Sequence, residues 1–292
     1  MRVEPGVPVA GAGAWPLRDP VGHLHIVPLT RAVGARWGGI QAGTATLHLP
    51  YSQAICNAAT GGIDERAIMA LLDHACSSAI YARITHSPPI ATLDLRVAFQ
   101  RDAPPAADVI VTAHATHIAE TVAFVSAAAH AGKGVALATC SATFFIGSAP
   151  GGEREGGAAG IAKPARDFDI GDLSQIRSFE EFLGLARHGQ HVRMEFADRL
   201  VGAVSLPALH GGAVASLLVS AARAATLAEP GRADRLAAIT VQYLRAGRAE
   251  ATTATAVPEK RGARSAVLSV TAKQAHGSRV VASAQCIFVA PD

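Results

Sequence analysis

"LHGGAVASLLVSAARAA", Leu209 to Ala225, is the stretch on which the reading of the whole chain turns. His210-Gly211-Gly212 opens an apolar run in which Val214, Leu217, Leu218 and Ala221 keep the i, i+3, i+4, i+7 spacing of a buried helix. Glycines at a helix start leave backbone N–H groups bare where the helix dipole is positive. Yet no Asp or Glu follows Gly212 until Glu229. The helix offers a berth for an anion or a polarised carbonyl and brings no acid to react with it.

Earlier in the chain stands a second copy of the pattern, "GGIDERAIMALLDHACSSA", Gly61 to Ala79. Placing Asp64 on His210, an offset of 146, puts Ile68, Leu71, Leu72 and Ala75 on the four apolar positions above. Downstream, "TLDLRVAFQR" (Thr92 to Arg101) matches "LAAITVQYLR" (Leu236 to Arg245) at an offset of 144, which also carries Phe144 onto Phe288. The two-residue change falls in the helix-to-strand loop. Long β-rich stretches broken by Gly-containing turns complete each copy as an antiparallel meander. Upstream of the helices, "IQAGTATLHLP" and "HVRMEFA" read as strands, and "SFEEFLGLARH" as a short helix with a Ser178–Glu181 capping box.

This internal repeat predicts an α+β fold of two antiparallel sheets, each wrapped round a central helix and joined side by side. The expected organisation is a flexible arm at 1–34, a first unit at 35–147, a linker at 148–175 and a second unit at 176–292. The linker is marked by "GSAPGGEREGGAAGIAKPARD", Gly147 to Asp167, rich in Gly, Ala and charge and lacking periodicity.

Half of the residues are hydrophobic, 17% are charged and the formal net charge is +3, with no Lys/Arg run that could form a stripe. Nucleic acid is therefore not an expected partner. No apolar run approaches the ~18 residues of a spanning helix, and the Pro-rich start lacks a signal-peptide core, so a cytoplasmic protein away from membranes is expected. Cys56, Cys76, Cys140 and Cys286 show no metal spacing and read as reduced, buried thiols. "HATH" (His114, His117) lies on a strand whose i and i+3 side chains point to opposite faces, a poor metal site. P-loop, GxGxxG and GxSxG motifs are absent.

Taken together, His-Gly-Gly, the acid position seven residues on, and the T-x-D-L…F/Y-x-R strand resemble the hotdog-fold thioesterases typified by the phenylacetyl-CoA-degradation enzymes, here duplicated in tandem. The resemblance covers about residues 35–146 and 176–290. Both copies depart from it, in complementary ways. The first has the acid, Asp73, and the hydroxyl, Thr92, with Asp64-Glu65-Arg66 in place of His-Gly-Gly. The second has His210-Gly211-Gly212, with Val219 and Leu236 in place of acid and hydroxyl. In this family the site lies between two units, so the resemblance implies one composite site per chain from Asp73, Thr92, His210, Gly211 and Gly212.

The resemblance further implies an acyl-CoA thioesterase. The Gly211 or Gly212 amide would polarise the carbonyl, with His210 near it. Asp73 would act as general base or attack directly, and Thr92 would orient water or acid. Asp94 is expected to serve the sheet. No metal or cofactor is called for beyond coenzyme A as part of the substrate. "PEKRGAR", with Lys260, Arg261 and Arg264, reads either as a solvated hairpin or as a seat for coenzyme A phosphates. Bland readings stand beside these roles: His210 as a helix cap, the glycines as packing contacts, Thr92 as a strand former. Two rivals remain, a non-catalytic acyl-CoA binder or sensor and an enoyl-thioester hydratase. A homo-oligomer of double-hotdog chains is a further expectation.

Overall fold

The computed structural model describes residues 27–84, 89–147, 167–189, 191–203, 208–226, 233–262 and 264–290. Helix α1 (Pro28–Ala32) leads into strands β1 (Arg36–Gln41) and β2 (Thr44–Leu49), then helix α2 (Glu65–Tyr81). Strands β3 (Ile90–Phe99), β4 (Val109–Ile118), β5 (Val122–Ala131) and β6 (Val135–Ile146) complete the first half. The second repeats the order: helix α3 (Phe179–Leu183), strands β7 (Leu185–His188), β8 (His191–Met194), β9 (Val201–Ala203) and β10 (Ala208–Leu209), then helix α4 (Gly211–Thr226). Strands β11 (Arg235–Tyr243), β12 (Thr252–Arg261), β13 (Ser265–Gln274) and β14 (Arg279–Val289) close it.

Twelve strands form one antiparallel sheet in the order β1-β2-β4-β5-β6-β3-β11-β14-β13-β12-β8-β7, while β9 and β10 pair separately. The expected two sheets are thus fused edge to edge. The join is β3 against β11, with Arg96 opposite Thr240, two residues that the 144 offset makes equivalent. The pseudo-twofold axis passes through that pair.

Each central helix is apolar nearly all round because sheet and partner helix enclose it. From Glu65 to Ile80, every residue of α2 except Ser77 is buried. The two helices run antiparallel: Arg66 meets Ser220 near one end, and Gly212 lies on Ala70 toward the other. Small residues permit that closeness; a Cβ on Gly212 would fall 2.4 Å from the Ala70 Cα.

Three local expectations change. "IQAGTATLHLP" is a hairpin rather than one strand, because Ala42 (φ 37) and Gly43 (φ 86) both take left-handed backbone, the turn that suits strand twist. The helix predicted over "SFEEFLGLARH" stops at Leu183, where Gly184 (φ 64) caps it; Leu185 to His188 become strand. Ser178 accepts from the Glu181 N–H as the capping box requires, while Glu181 reaches back to the Arg177 N–H. Third, part of the stretch read as an arm at 1–34 is packed: Val27, Leu29, Ala32 and Val33 are buried. Likewise Phe168, inside the 148–175 linker, is buried and accepts from Arg31 through its carbonyl. Residues 1–26 and 148–166 lie outside the described residues.

Candidate active site

Asp73 sits on the face of α2 that meets α4, and the sheet aims Thr92 at it. The register between β3 and β6 shifts between Thr92 and Asp94, a bulge at Leu93. Such an extra residue bends a strand and re-aims its neighbours. The Thr92 hydroxyl donates to Asp73 Oδ1 at 3.0 Å. The same bulge recurs between Leu236 and Ala238 on β11, where buried Leu236 replaces the threonine. The repeat kept the backbone device and lost the hydroxyl.

From the other half comes the start of α4. His210 precedes the helix with its N–H bonded to Leu200 O, and its carbonyl accepts from Ala213 and Val214. The Gly212 N–H donates to His210 Nδ1 at 2.9 Å, so the imidazole caps its own helix. A nitrogen that accepts carries no proton, so the neutral ring holds its proton on Nε2. Burial lowers the His210 pKa, against the pull of Asp73, and favours the same neutral form. The His74 ring stacks on it at 6.0 Å.

Asp73 Oδ2 lies 3.5 Å from His210 Nδ1 and 2.6 Å from where a Gly211 Cβ would stand. A side chain at Gly211 would strike the carboxylate. Burial raises the Asp73 pKa; His210, the Thr92 hydroxyl and the Gly212 amide pull the other way without cancelling it. Asp73 is thus a carboxylate of raised basicity enclosed among donors.

The structure brings Asp73, Thr92, His210, Gly211 and Gly212 together across the interface. Asp73 touches the helix start, leaving no gap for a carbonyl and a water between them. The Ala70–Gly212 contact is the cause.

Sequence reasoning missed Tyr243. Its hydroxyl donates to the Gly211 carbonyl at 3.0 Å, and its ring lies 3.4 Å from the Gly211 Cβ position. Burial, then the charge of Asp73, raises its pKa well above the ordinary tyrosine value. The available signal was its equivalence, at the 144 offset, with Phe99, which has no hydroxyl.

The pseudo-equivalent position is filled. Arg66 Nε and Nη2 donate to Asp64 Oδ1 and Oδ2 at 2.8 and 2.7 Å, while Nη1 crosses to the Ser220 hydroxyl at 2.7 Å. Glu65 pairs with Arg223 across the same interface. Burial alone would raise the Asp64 pKa, but Arg66 overrides it and holds the carboxylate ionised. Val219, at the acid position, is fully buried. Arg66 therefore folds back on Asp64 and ties the halves together.

The stretch read either as a solvated hairpin or as a seat for coenzyme A phosphates stands apart from these residues. Lys260, Arg261 and Arg264 are exposed. Ser265 pairs with Val289, and Val289 with Arg235, so their hairpin stands at the Arg235 end of the sheet. Asp73 and Thr92 lie at the Tyr243 end, roughly 25 Å along the strands. All four cysteines are free and buried. Among the described residues no helix is long and apolar enough to cross a membrane.

Comparison with known proteins follows the same division. Residues 67–138 match the model of the thioesterase superfamily, and residues 203–289 match that of the acyl-CoA thioesterase N-terminal domain. A structure from Thermobifida fusca described as a thioesterase II superposes with a TM-score of 0.58 at 12% identity, covering 96% of this chain and 100% of that one. One described as an oleoyl thioesterase from Lactobacillus plantarum gives 0.58 at 11%, covering 86% and 97%. A thioesterase structure from Novosphingobium aromaticivorans gives 0.58 at 13%, covering 85% and 96%. At such identities the likeness establishes the fold. No curated protein matches the chain. Two thioesterase domains in tandem on a double hotdog frame place the chain in the thioesterase superfamily as a thioester hydrolase.

Proposed function

We propose that the chain hydrolyses acyl-CoA thioesters at one composite site, with Asp73 as general base. The observation that carries this reading is the buried contact of Asp73, bonded to Thr92 of its own half, with the glycine helix start of the other half. The equivalent position is occupied by the Asp64–Arg66–Ser220 network, which supports one site per chain.

Asp73 removes a proton from water as the water oxygen bonds to the thioester carbon. Negative charge gathers on the carbonyl oxygen, and a backbone N–H at a helix start offsets it by about 3 kcal/mol. Because the Gly212 amide is already bonded to His210, we assign that role to the Gly211 amide. Collapse breaks the C–S bond, and the proton held by Asp73 passes to the departing sulfur. The raised Asp73 pKa suits this work, since a base is most effective when its pKa nears the working pH.

The test is free-thiol release from a panel of acyl-CoAs by the parent chain and Asp73→Asn. Turnover that depends on Asp73 supports the reading. Saturable binding of every acyl-CoA tried, with no thiol released from any, would favour the binder.

A further inference from the structure

Three arginines converge on the end of the second half that bears the composite site. Arg248 lies across a β-bridge from Ala208, and the Leu209 N–H bonds to Gly247 O at 2.8 Å, directly before His210. Arg279 opens β14 beside this loop, its Nη2 on Ala246 O at 2.9 Å. Arg245 joins them, its Nη1 on Val280 O at 2.9 Å.

A buried amide assembles the cluster. Gln274 is 1% exposed. Its Oε1 accepts from both the Arg248 N–H and Arg279 Nη1, each at 3.0 Å. Its Nε2 donates to Arg248 O, Glu250 O and the Thr252 hydroxyl. One side chain therefore locks the Arg248 backbone and the Arg279 guanidinium in place. Burial, then the neighbouring Arg248 and Arg245 charges, lowers the Arg279 pKa, while Glu250 opposes the shift. Three positive charges stand near one negative, with the Arg279 guanidinium fixed by Gln274 and Ala246 O, and an anion would relieve their repulsion.

The other half lacks the device. The pair Gln274–Arg279, last in its hairpin ladder, corresponds to Ala131–Val135 in the first half. At the 144 offset Arg248 becomes Pro104, and only Arg245 has a counterpart, Arg101. The cluster thus accompanies the composite site and is missing beside the position that the Arg66 network closes.

We propose that Arg245, Arg248 and Arg279 seat the phosphates of the thioester's carrier arm, beside the start of α4 that Asp73 contacts. This rests on the acyl-CoA reading above. Arg248 and Arg245 are exposed and available to a ligand, while Arg279 is partly enclosed and sets the position of the seat. A guanidinium presents paired donors that match phosphate oxygens.

The test uses the full chain and two readouts. First, adenosine 3′,5′-bisphosphate, which has no thioester, is titrated calorimetrically into the parent, Arg248→Glu, Arg245→Gln and the double variant Lys260→Ala/Arg261→Ala. Folding of each is checked by thermal melting. Binding weakened at least about tenfold by Arg248→Glu, unchanged by the hairpin variant and reduced by added salt, is the expected result. Binding lost in the hairpin variant alone overturns the proposal. Second, KM is compared for one acyl group on coenzyme A, on 4′-phosphopantetheine and on pantetheine. Arg248→Glu should raise KM for coenzyme A and leave pantetheine unchanged. An equal rise for phosphopantetheine would assign the seat to that phosphate instead of the nucleotide. Equal KM for all three carriers in the parent chain overturns the seat and leaves the hydrolase reading intact. Arg248-dependent bisphosphate binding without turnover of any thioester would do the reverse.

Discussion

Gly212 rests on Ala70 so closely that no other residue fits between the two central helices: a Cβ there would lie 2.4 Å from the Ala70 Cα and 2.6 Å from its Cβ. The obstruction is partly backbone, so a rotamer change cannot relieve it. Gly212→Ala should separate α2 from α4 and cost about 1–3 kcal/mol, the range for overpacking. Because Asp73 would be drawn off the helix start, kcat should fall along with the denaturation midpoint. A variant as stable and active as the parent would show that the helices slide freely.

Asp73→Asn separates function from stability. With Asp73 in its proposed role as general base, its loss should lower turnover by about 10²-fold or more. Its folded pKa is raised, so burial favours the protonated carboxyl, and the stability this provides is lost as pH rises through the folded value. A neutral amide escapes that loss. Thermal melting at pH 8 should place Asp73→Asn above the parent, with the difference closing below pH ~4.

The pH profile of kcat/KM should carry the same signature. A base must be ionised to act, so a raised pKa moves the acid limb above the ordinary carboxylate value of ~4. Thr92→Val removes a hydrogen bond that holds the Asp73 pKa down, so its limb should shift to still higher pH. A shift to lower pH would mean that Thr92 stabilises the protonated acid.

At the closed position the roles invert. Arg66→Ala would leave Asp64 buried without its partner and should destabilise by about 3–5 kcal/mol, with no gain of activity. Val219→Asp should create no second site, since Asp64, Glu65 and Arg66 fill the place of the glycines. A titration of that variant with a non-hydrolysable acyl-CoA analogue should still give one ligand per chain.

Tyr243→Phe makes the second half copy the first, where Phe99 stands. Loss of the bond to Gly211 O should cost about 1 kcal/mol. If the hydroxyl holds the Gly211 peptide toward the carbonyl, kcat should drop several-fold with KM little changed. Loss of stability with kcat intact would make it a structural tie.

The grouping of Asp73, Thr92, His210, Gly211 and Gly212 in one set was what the family resemblance implied, whereas the repeated helix pattern and the complementary differences between the two copies were legible in the chain itself. The latter two depend on local periodicity or on spacing that the two copies share, and these survive in linear order. Turn chemistry at Ala42-Gly43 and Gly184 was present but underread, because the left-handed backbone becomes plain only once the flanking strands pair. What the tertiary structure alone decided are contacts between distant residues. The sheet register put the Lys260 hairpin at the Arg235 end, and the packing of β11 under α4 put Tyr243 beside Gly211, while the twofold meeting of β3 and β11 brought the two halves together. The same meeting turned Arg66 onto Ser220, 154 residues away. The closeness of Asp73 to the helix start was equally hidden, because it depends on how far two small-residue helix faces interpenetrate, and spacing along one chain does not encode that distance.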